Sequence, residues 1–254
     1  MNGKSYQPAA AMLKDRVILI TGAGDGIGKT VALGCAHYGA TVILLGRQQK
    51  KLEAVYDAIV GAGGAQPAIV PMNLLTITPE DTVGLANTLL NEFGRLDGLL
   101  HNAAVLGERA PIEHYSPNVW LEVMQINVNA AFLLSQSLMP LLKAANNPSV
   151  VFTTSSVGRK GKAFWGAYAV SKFATEGMMQ VLADELELTD EPDHNNNRIR
   201  VNCINPGSTR TKMRAAAFPA EDSSKLKSPE DILPSYLWLL GPDSHAVHGQ
   251  SIDA

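Results

Sequence analysis

Two cysteines in 254 residues, Cys35 and Cys203, form no spaced set. That excludes a disulfide-stapled scaffold, and both read as small core hydrophobes in a reducing compartment. No metal site is expected. Aromatic residues are sparse at 6%, and 21 basic residues nearly balance 24 acidic ones, for a formal net charge of -3. A general nucleic-acid surface needs a basic excess, so that class is set aside. Long apolar runs are also missing. The longest, such as residues 17–20 and 42–45, suit buried strands and are far too short to cross a bilayer. No charged-then-apolar leader opens the chain. The expectation is a cytoplasmic protein with neither a membrane nor a nucleic-acid partner.

Glycine is plentiful, at 22 residues, and its placement is informative. Residues 16–21 (RVILIT) read as a strand. Glycines 22, 24, 26 and 28 follow, then a predicted helix over 29–38 that ends at Gly39. Further strands are predicted over 41–45, 68–72, 96–101, 149–154 and 199–204. Helices are predicted over 48–60, 79–93 and 167–188, with two stretches inside 117–142. Strands alternating with helices indicate parallel βαβ units, and strands apolar on both faces need helices on both sides. The predicted fold class is α/β: a Rossmann-like doubly wound parallel sheet, three layers (αβα), in a single domain. Residues 1–15 are expected to form a surface arm and 16–254 the catalytic domain. Residues 187–197 (ELTDEPDHNNN) read as an exposed loop.

Three features carry chemistry. Residues 21–28 (TGAGDGIG) join strand to helix with the spacing GxxxGxG at Gly22, Gly26 and Gly28. Glycines there permit a tight turn and close approach of a pyrophosphate, and the helix N-terminus offers free N–H groups to phosphates. The second strand ends Leu44-Leu45-Gly46-Arg47. It has no carboxylate to repel a phosphate, and Arg47 is a planar cation suited to a 2′-phosphate, so NADP(H) is favoured over NAD(H). Finally, Tyr168 and Lys172 stand four apart on one helix face. A free tyrosine titrates near pH ~10, and a neighbouring ammonium favours its phenolate. The pair is a candidate proton donor or acceptor with its own tuner.

In chain order, TGxxxGxG (21–28), HNAA (101–104), Asn127, Ser155, YxxxK (168–172) and PGxxxT (206–211) resemble the short-chain dehydrogenase/reductase family. The resemblance runs from about residue 16 to 253. It fits single-domain NADP(H)-type members better than extended ones, and it is nearest to a bacterial subgroup of uncharacterised oxidoreductases.

The resemblance implies roles. Tyr168 would be the general acid in carbonyl reduction and the base in alcohol oxidation. Lys172 would lower its pKa and bind the nicotinamide ribose. Ser155 would hydrogen-bond the substrate oxygen, and Asn127 would hold a water linking Lys172 to solvent. Cofactor contacts would come from Gly22, Gly26, Ile27, Gly28, Arg47, Asn73, Leu74, Asn102, Ala103, Pro206 and Gly207, together with Thr211 and the Tyr168–Lys172 pair. Ala104 replaces a family glycine, with a displaced backbone expected. Asn73 replaces an aspartate that binds the adenine amino group.

A substrate lid is expected over about 212–228. Wall candidates are Leu106, Arg109, Val157, Arg159, Phe164 and Trp165. Arg210, Lys212 and Arg214 suggest a carboxylate- or phosphate-bearing carbonyl substrate. Family members commonly assemble as homotetramers or homodimers through helices near 117–142 and 167–188. The alternative is an NADP(H)-binding sensor or scaffold without significant turnover. It would retain the glycine turn but damage the Ser–Tyr–Lys–Asn set, and here all four are present.

Overall fold

The computed structural model describes residues 3–189 and 198–254. In chain order the elements are β1 (Val17–Thr21), α1 (Gly26–His37), β2 (Thr41–Gly46), α2 (Gln49–Gly61), β3 (Ala68–Pro71), α3 (Pro79–Phe93), β4 (Gly98–His101), α4 (Pro117–Met124), α5 (Ala130–Lys143), β5 (Ser149–Thr153), α6 (Gly166–Thr189), β6 (Arg200–Asn205), α7 (Lys212–Ala217), α8 (Pro229–Leu240) and β7 (Ser251–Asp253). The strands form one parallel sheet in the order β3-β2-β1-β4-β5-β6-β7.

Alternate residues of β1 go to opposite cores, as the pleat requires. Ile18 and Ile20 pack with Val31, Leu52, Ile232 and Tyr236 on the side of α1, α2 and α8. Val17 and Leu19 pack with Leu85, Leu89, Leu134 and Leu138 on the side of α3 and α5. This is the three-layer arrangement expected from strands apolar on both faces.

Helix ends follow local chemistry. The Thr78 hydroxyl accepts from the Asp81 N–H while Asp81 accepts from the Thr78 N–H, Pro79 sits in the first turn, and Gly94 closes α3 in the left-handed region. The same capping box, Ser228 with Asp231 around Pro229, starts α8.

Four features differ from expectation. The arm does not simply lie on the surface: Tyr6 and Leu13 are buried, and the Tyr6 hydroxyl donates to the Asp243 carboxylate at 2.8 Å. The break between α4 and α5 is a π turn over Gln125–Asn129, in which the Ala130 N–H reaches back to the Gln125 carbonyl. Helix α6 runs on to Thr189, so residues 187–189 are helical, and the rest of the predicted loop, 190–197, lies outside the described residues. Strand β7 pairs with β6, with Ser251 opposite Cys203. Among the described residues, no helix is long and apolar enough to cross a membrane.

Candidate active site

The strand order reverses between β1 and β4. In open α/β sheets the crevice for ligands lies beyond the carboxyl ends of the strands at that point. A cleft of about 320 Å³ opens there. The glycine turn after β1, the loop after β4, Ser155 after β5 and the segment after β6 all border it.

The glycine turn is shaped by backbone demands. Gly22 and Gly26 have φ of +71° and +52°, which disfavours any side chain. Gly28 has a steric reason instead: a Cβ there would meet the Gly22 carbonyl oxygen at 2.3 Å and Asn102 Nδ2 at 2.6 Å. Gly28→Ala is expected to cost about 1–3 kcal/mol, because the nearest obstacle is backbone and cannot rotate away. A melting point lower by about 5 °C, with weakened NADPH binding, is the expected readout.

Asp25 was not anticipated. It caps α1, its carboxylate accepting from the Gly26 N–H. It also pairs with Lys51 at 2.7 Å and Lys212 at 2.9 Å, so it ties α2 and α7 to the turn. The hydrogen bonds from Lys51 and Lys212 hold its carboxyl well below the usual carboxylate range. An aspartate directly before a helix was the available signal.

At the other end of the cleft, Tyr168 is 8% exposed and its hydroxyl is hydrogen-bonded to Ser155. Burial pushes the phenol up to about 12, with the Ser155 bond opposing. The Lys172 ammonium donates to the Thr153 carbonyl at 2.7 Å and lies 5.7 Å from the Tyr168 ring centre. Burial pulls Lys172 down to about 8. Desolvation therefore dominates both groups in this state.

Asn127 sits in the π turn and is buried. Its amide is committed: Oδ1 accepts from the Val105 N–H at 2.8 Å, and Nδ2 donates to the Val105 carbonyl and the Ser171 hydroxyl, both at 3.0 Å. It thereby ties the loop after β4 to the helix that carries Tyr168. A second cavity of about 10 Å³, the scale of one water, lies behind the cleft and is lined by Asn127, Lys172, His101, Thr21 and Leu74 among others. Two buried polar atoms of cleft-lining residues, Thr154 Oγ1 and Trp165 Nε1, have no hydrogen-bond partner among the described residues.

The loop after β4 accommodates its departures. The Thr21 hydroxyl accepts from the Asn102 and Ala103 N–H groups at 2.9 and 3.0 Å. Ala104 is not among the residues with positive φ, so alanine there carries no backbone strain. His101 is buried, stacks on Phe152 at 4.7 Å and meets the Ser135 hydroxyl at 2.9 Å. Burial pulls it down to about 3, so it is neutral.

Gly22, Gly26, Ile27, Asn102, Ala103, Ser155, Tyr168, Lys172, Pro206, Gly207 and Thr211 line the main cleft together. Thr211 also caps α7, accepting from the Arg214 N–H. Gly28 lies beneath the turn. Arg47, Asn73 and Leu74 do not border the main cleft. Arg47 is exposed at the end of β2 and has no ion pair among the described residues. Asn73 Oδ1 accepts from the Leu75 N–H at 3.2 Å in a local turn.

The sequence comparison agrees with this geometry. The family described as short chain dehydrogenase matches residues 16–222. The chain belongs to the short-chain dehydrogenase family. It is 55% identical over 249 residues to the Uncharacterized oxidoreductase YciK of Escherichia coli K12, covering 98% of this chain and 95% of that one. A protein from Shigella flexneri 2a described as a short chain dehydrogenase and complexed with NADP has a TM-score of 0.91 at 55% identity, covering 96% of this chain and 99% of that one. One from Escherichia coli CFT073, complexed with NADPH, also has a TM-score of 0.91 at 55% identity, over 97% of this chain and 99% of that one.

The substrate side of this short-chain dehydrogenase differs from the sequence expectation. Of the six wall candidates, Leu106 and Trp165 line the cleft, joined by Met213 and Ala217 of α7. Val157 packs beneath Trp165 in a small apolar cluster. Phe164 points outward, 55% exposed, and Arg159 turns away to Asp253 at 2.7 Å. The Arg109 guanidinium lies over the rings of both Trp165 and Phe218, 4.8 and 4.9 Å from their centres, and donates to the Ala217 carbonyl. Arg214 makes two 2.6 Å bonds to Glu221 and stacks on Phe218. Lys212, paired to Asp25, and Arg214, paired to Glu221, border the cleft, while Arg210 is exposed outside it, so the two cations that reach the cleft are already ion-paired.

Proposed function

We propose that this short-chain dehydrogenase reduces a carbonyl, or oxidises the matching alcohol, with NADP(H) and with Tyr168 as the general acid or base. One observation carries the reading. The buried Tyr168 hydroxyl, bonded to Ser155, faces the same cleft as a glycine turn. The residues fit the cofactor. A Cβ at Gly28 would fill the cradle, Arg47 stands free at the end of β2, and the relatives above were crystallised with NADP and NADPH.

When bound, the nicotinamide supplies the hydride. Tyr168 gives its proton to the substrate oxygen, so no free alkoxide forms. Ser155 donates a hydrogen bond to that oxygen as charge builds on it. Lys172 keeps a positive charge beside the phenol that is losing its proton, and binds the nicotinamide ribose. Asn127 holds the π turn against α6, and a water in the small cavity it shares with Lys172 returns the proton.

Leu106, Trp165, Met213 and Ala217 make an apolar wall, so the substrate carries an apolar body beside its carbonyl. Residues 212–228 act as its lid, with Arg109 clasping α7 to Trp165. A panel of neutral and carboxylate-bearing aldehydes and ketones, read by NADPH oxidation, tests this. Turnover of neutral apolar members is expected, and a preference for the anionic members would overturn the wall assignment. Leu121, Phe132, Phe173 and Val181 leave apolar side chains exposed on α4, α5 and α6, which supports a homodimer or homotetramer through these helices. Light scattering reads that assembly.

A further inference from the structure

Helix α6 carries a third buried ionisable side chain that the chemistry above does not use. Glu176 lies one turn beyond Lys172 and two beyond Tyr168, so all three share a face. Tyr168, Lys172 and Glu176 are 8%, 3% and 6% exposed. A carboxylate at that depth needs partners. Glu176 Oε1 accepts from the Ser251 hydroxyl at 2.8 Å and from Arg159 Nε at 3.3 Å. Arg159 is itself held by Asp253 at 2.7 Å. Ser251 of β7 and Arg159 therefore set where this carboxylate sits.

The groups facing Lys172 from the packed elements are few. The Thr153 carbonyl of β5 accepts from its ammonium. Cys203 of β6 is near it, but burial pushes that thiol above the ordinary range and leaves it neutral, so it adds no charge. His101 of β4, across the small cavity, is neutral, as is Tyr168. Thr21 and Asn127 there carry no charge. The Arg159 cation is balanced by Asp253 as well as by Glu176. Among the described residues, Glu176 is thus the acidic side chain nearest along the helix and acting on Lys172.

We propose that Glu176 is a positioning residue whose charge keeps the Lys172 amine protonated beside Tyr168, with Ser251 and Arg159 of the C-terminal network holding it in place. The inference rests on the reading of Tyr168 and Lys172 given above. The test is Glu176→Gln, which keeps shape and hydrogen bonding and removes the charge. Lys172 is titrated directly by NMR of the protein carrying carbon-13 at the lysine ε positions, with Lys172→Arg to assign its signal. In parallel the pH profile of kcat/KM for carbonyl reduction is measured.

The Lys172 midpoint is expected to fall by about one pH unit in Glu176→Gln, the lower end of what a neighbouring charge produces. The alkaline fall of kcat/KM shifts with it, while the rate on the acid side stays near wild type. Glu176→Asp retains the wild-type midpoint. An unshifted Lys172 midpoint, or a loss of activity uniform across pH, overturns the proposal. Should Glu176→Gln fail to fold, Glu176→Met keeps the volume without the charge and is read the same way. The titration needs no turnover, so the two readings separate. A shifted midpoint without carbonyl turnover retires the reductase reading alone. An unshifted midpoint with Tyr168-dependent turnover retires only the role of Glu176.

Discussion

Tyr168→Phe is expected to lower kcat for carbonyl reduction by about 10³-fold, within the range that a positioned general acid contributes. The change in NADPH affinity should be far smaller. Phenylalanine keeps the ring that packs on Trp165, Val157 and Ala217 and removes only the hydroxyl. The fold and the glycine turn are thus untouched, while the proton donor and the Ser155 hydrogen bond are lost. Steady-state rates with NADPH, paired with a fluorescence titration of NADPH binding, separate the two effects. A fall in kcat of only a few-fold would mean that the substrate oxygen takes its proton from elsewhere. The pH dependence carries the same signature. Reduction declines as pH rises through the Lys172 ionisation, which burial places at about 8, because the neutral amine no longer offsets a forming phenolate.

Arg47→Ala is expected to weaken NADPH binding by about ten- to a hundredfold, the range of one charge-assisted hydrogen bond of about 1.5–3 kcal/mol. NADH binding should scarcely change. The guanidinium stands at the end of β2 without an ion pair among the described residues, so its removal leaves no carboxylate unpaired and disturbs no core. The ratio of the two affinities is the informative quantity, because a general loss of fold would lower both. Equal losses for NADPH and NADH would contradict the phosphate assignment.

Features that depend on the local backbone were legible in the sequence. The turn at 21–28 needs glycine at Gly22 and Gly26 for φ and at Gly28 for space, and that need is written in consecutive residues. The Tyr168–Lys172 spacing is a helix property, and the alternation of β and α segments predicts a parallel sheet that is present. Features assembled across the chain were not legible. Nothing near Arg109 indicates that its guanidinium lies over the rings of Trp165 and Phe218. Arg159 and Arg214 read as wall and substrate cations but are drawn to Asp253 and Glu221, partners that only the fold brings close. Strand β7 has three residues and no alternation, and it exists because β6 and Arg159 hold it. Helix α8 was legible in principle, since its capping box and Pro229 are the same signal that marked α3. The raised phenol of Tyr168 is a burial effect, and burial is a property of the packed chain.

The central claim is hydride transfer to a carbonyl carbon with the proton supplied by Tyr168. The most direct measurement uses NADPH carrying deuterium in its transferable position, with mass spectrometry of the alcohol formed from a carbonyl that the panel identifies. One deuterium on the carbinol carbon per NADPH consumed, abolished together with turnover in Tyr168→Phe, is the predicted result. NADPH bound without consumption, or deuterium transfer that persists at the wild-type rate in Tyr168→Phe, would contradict it.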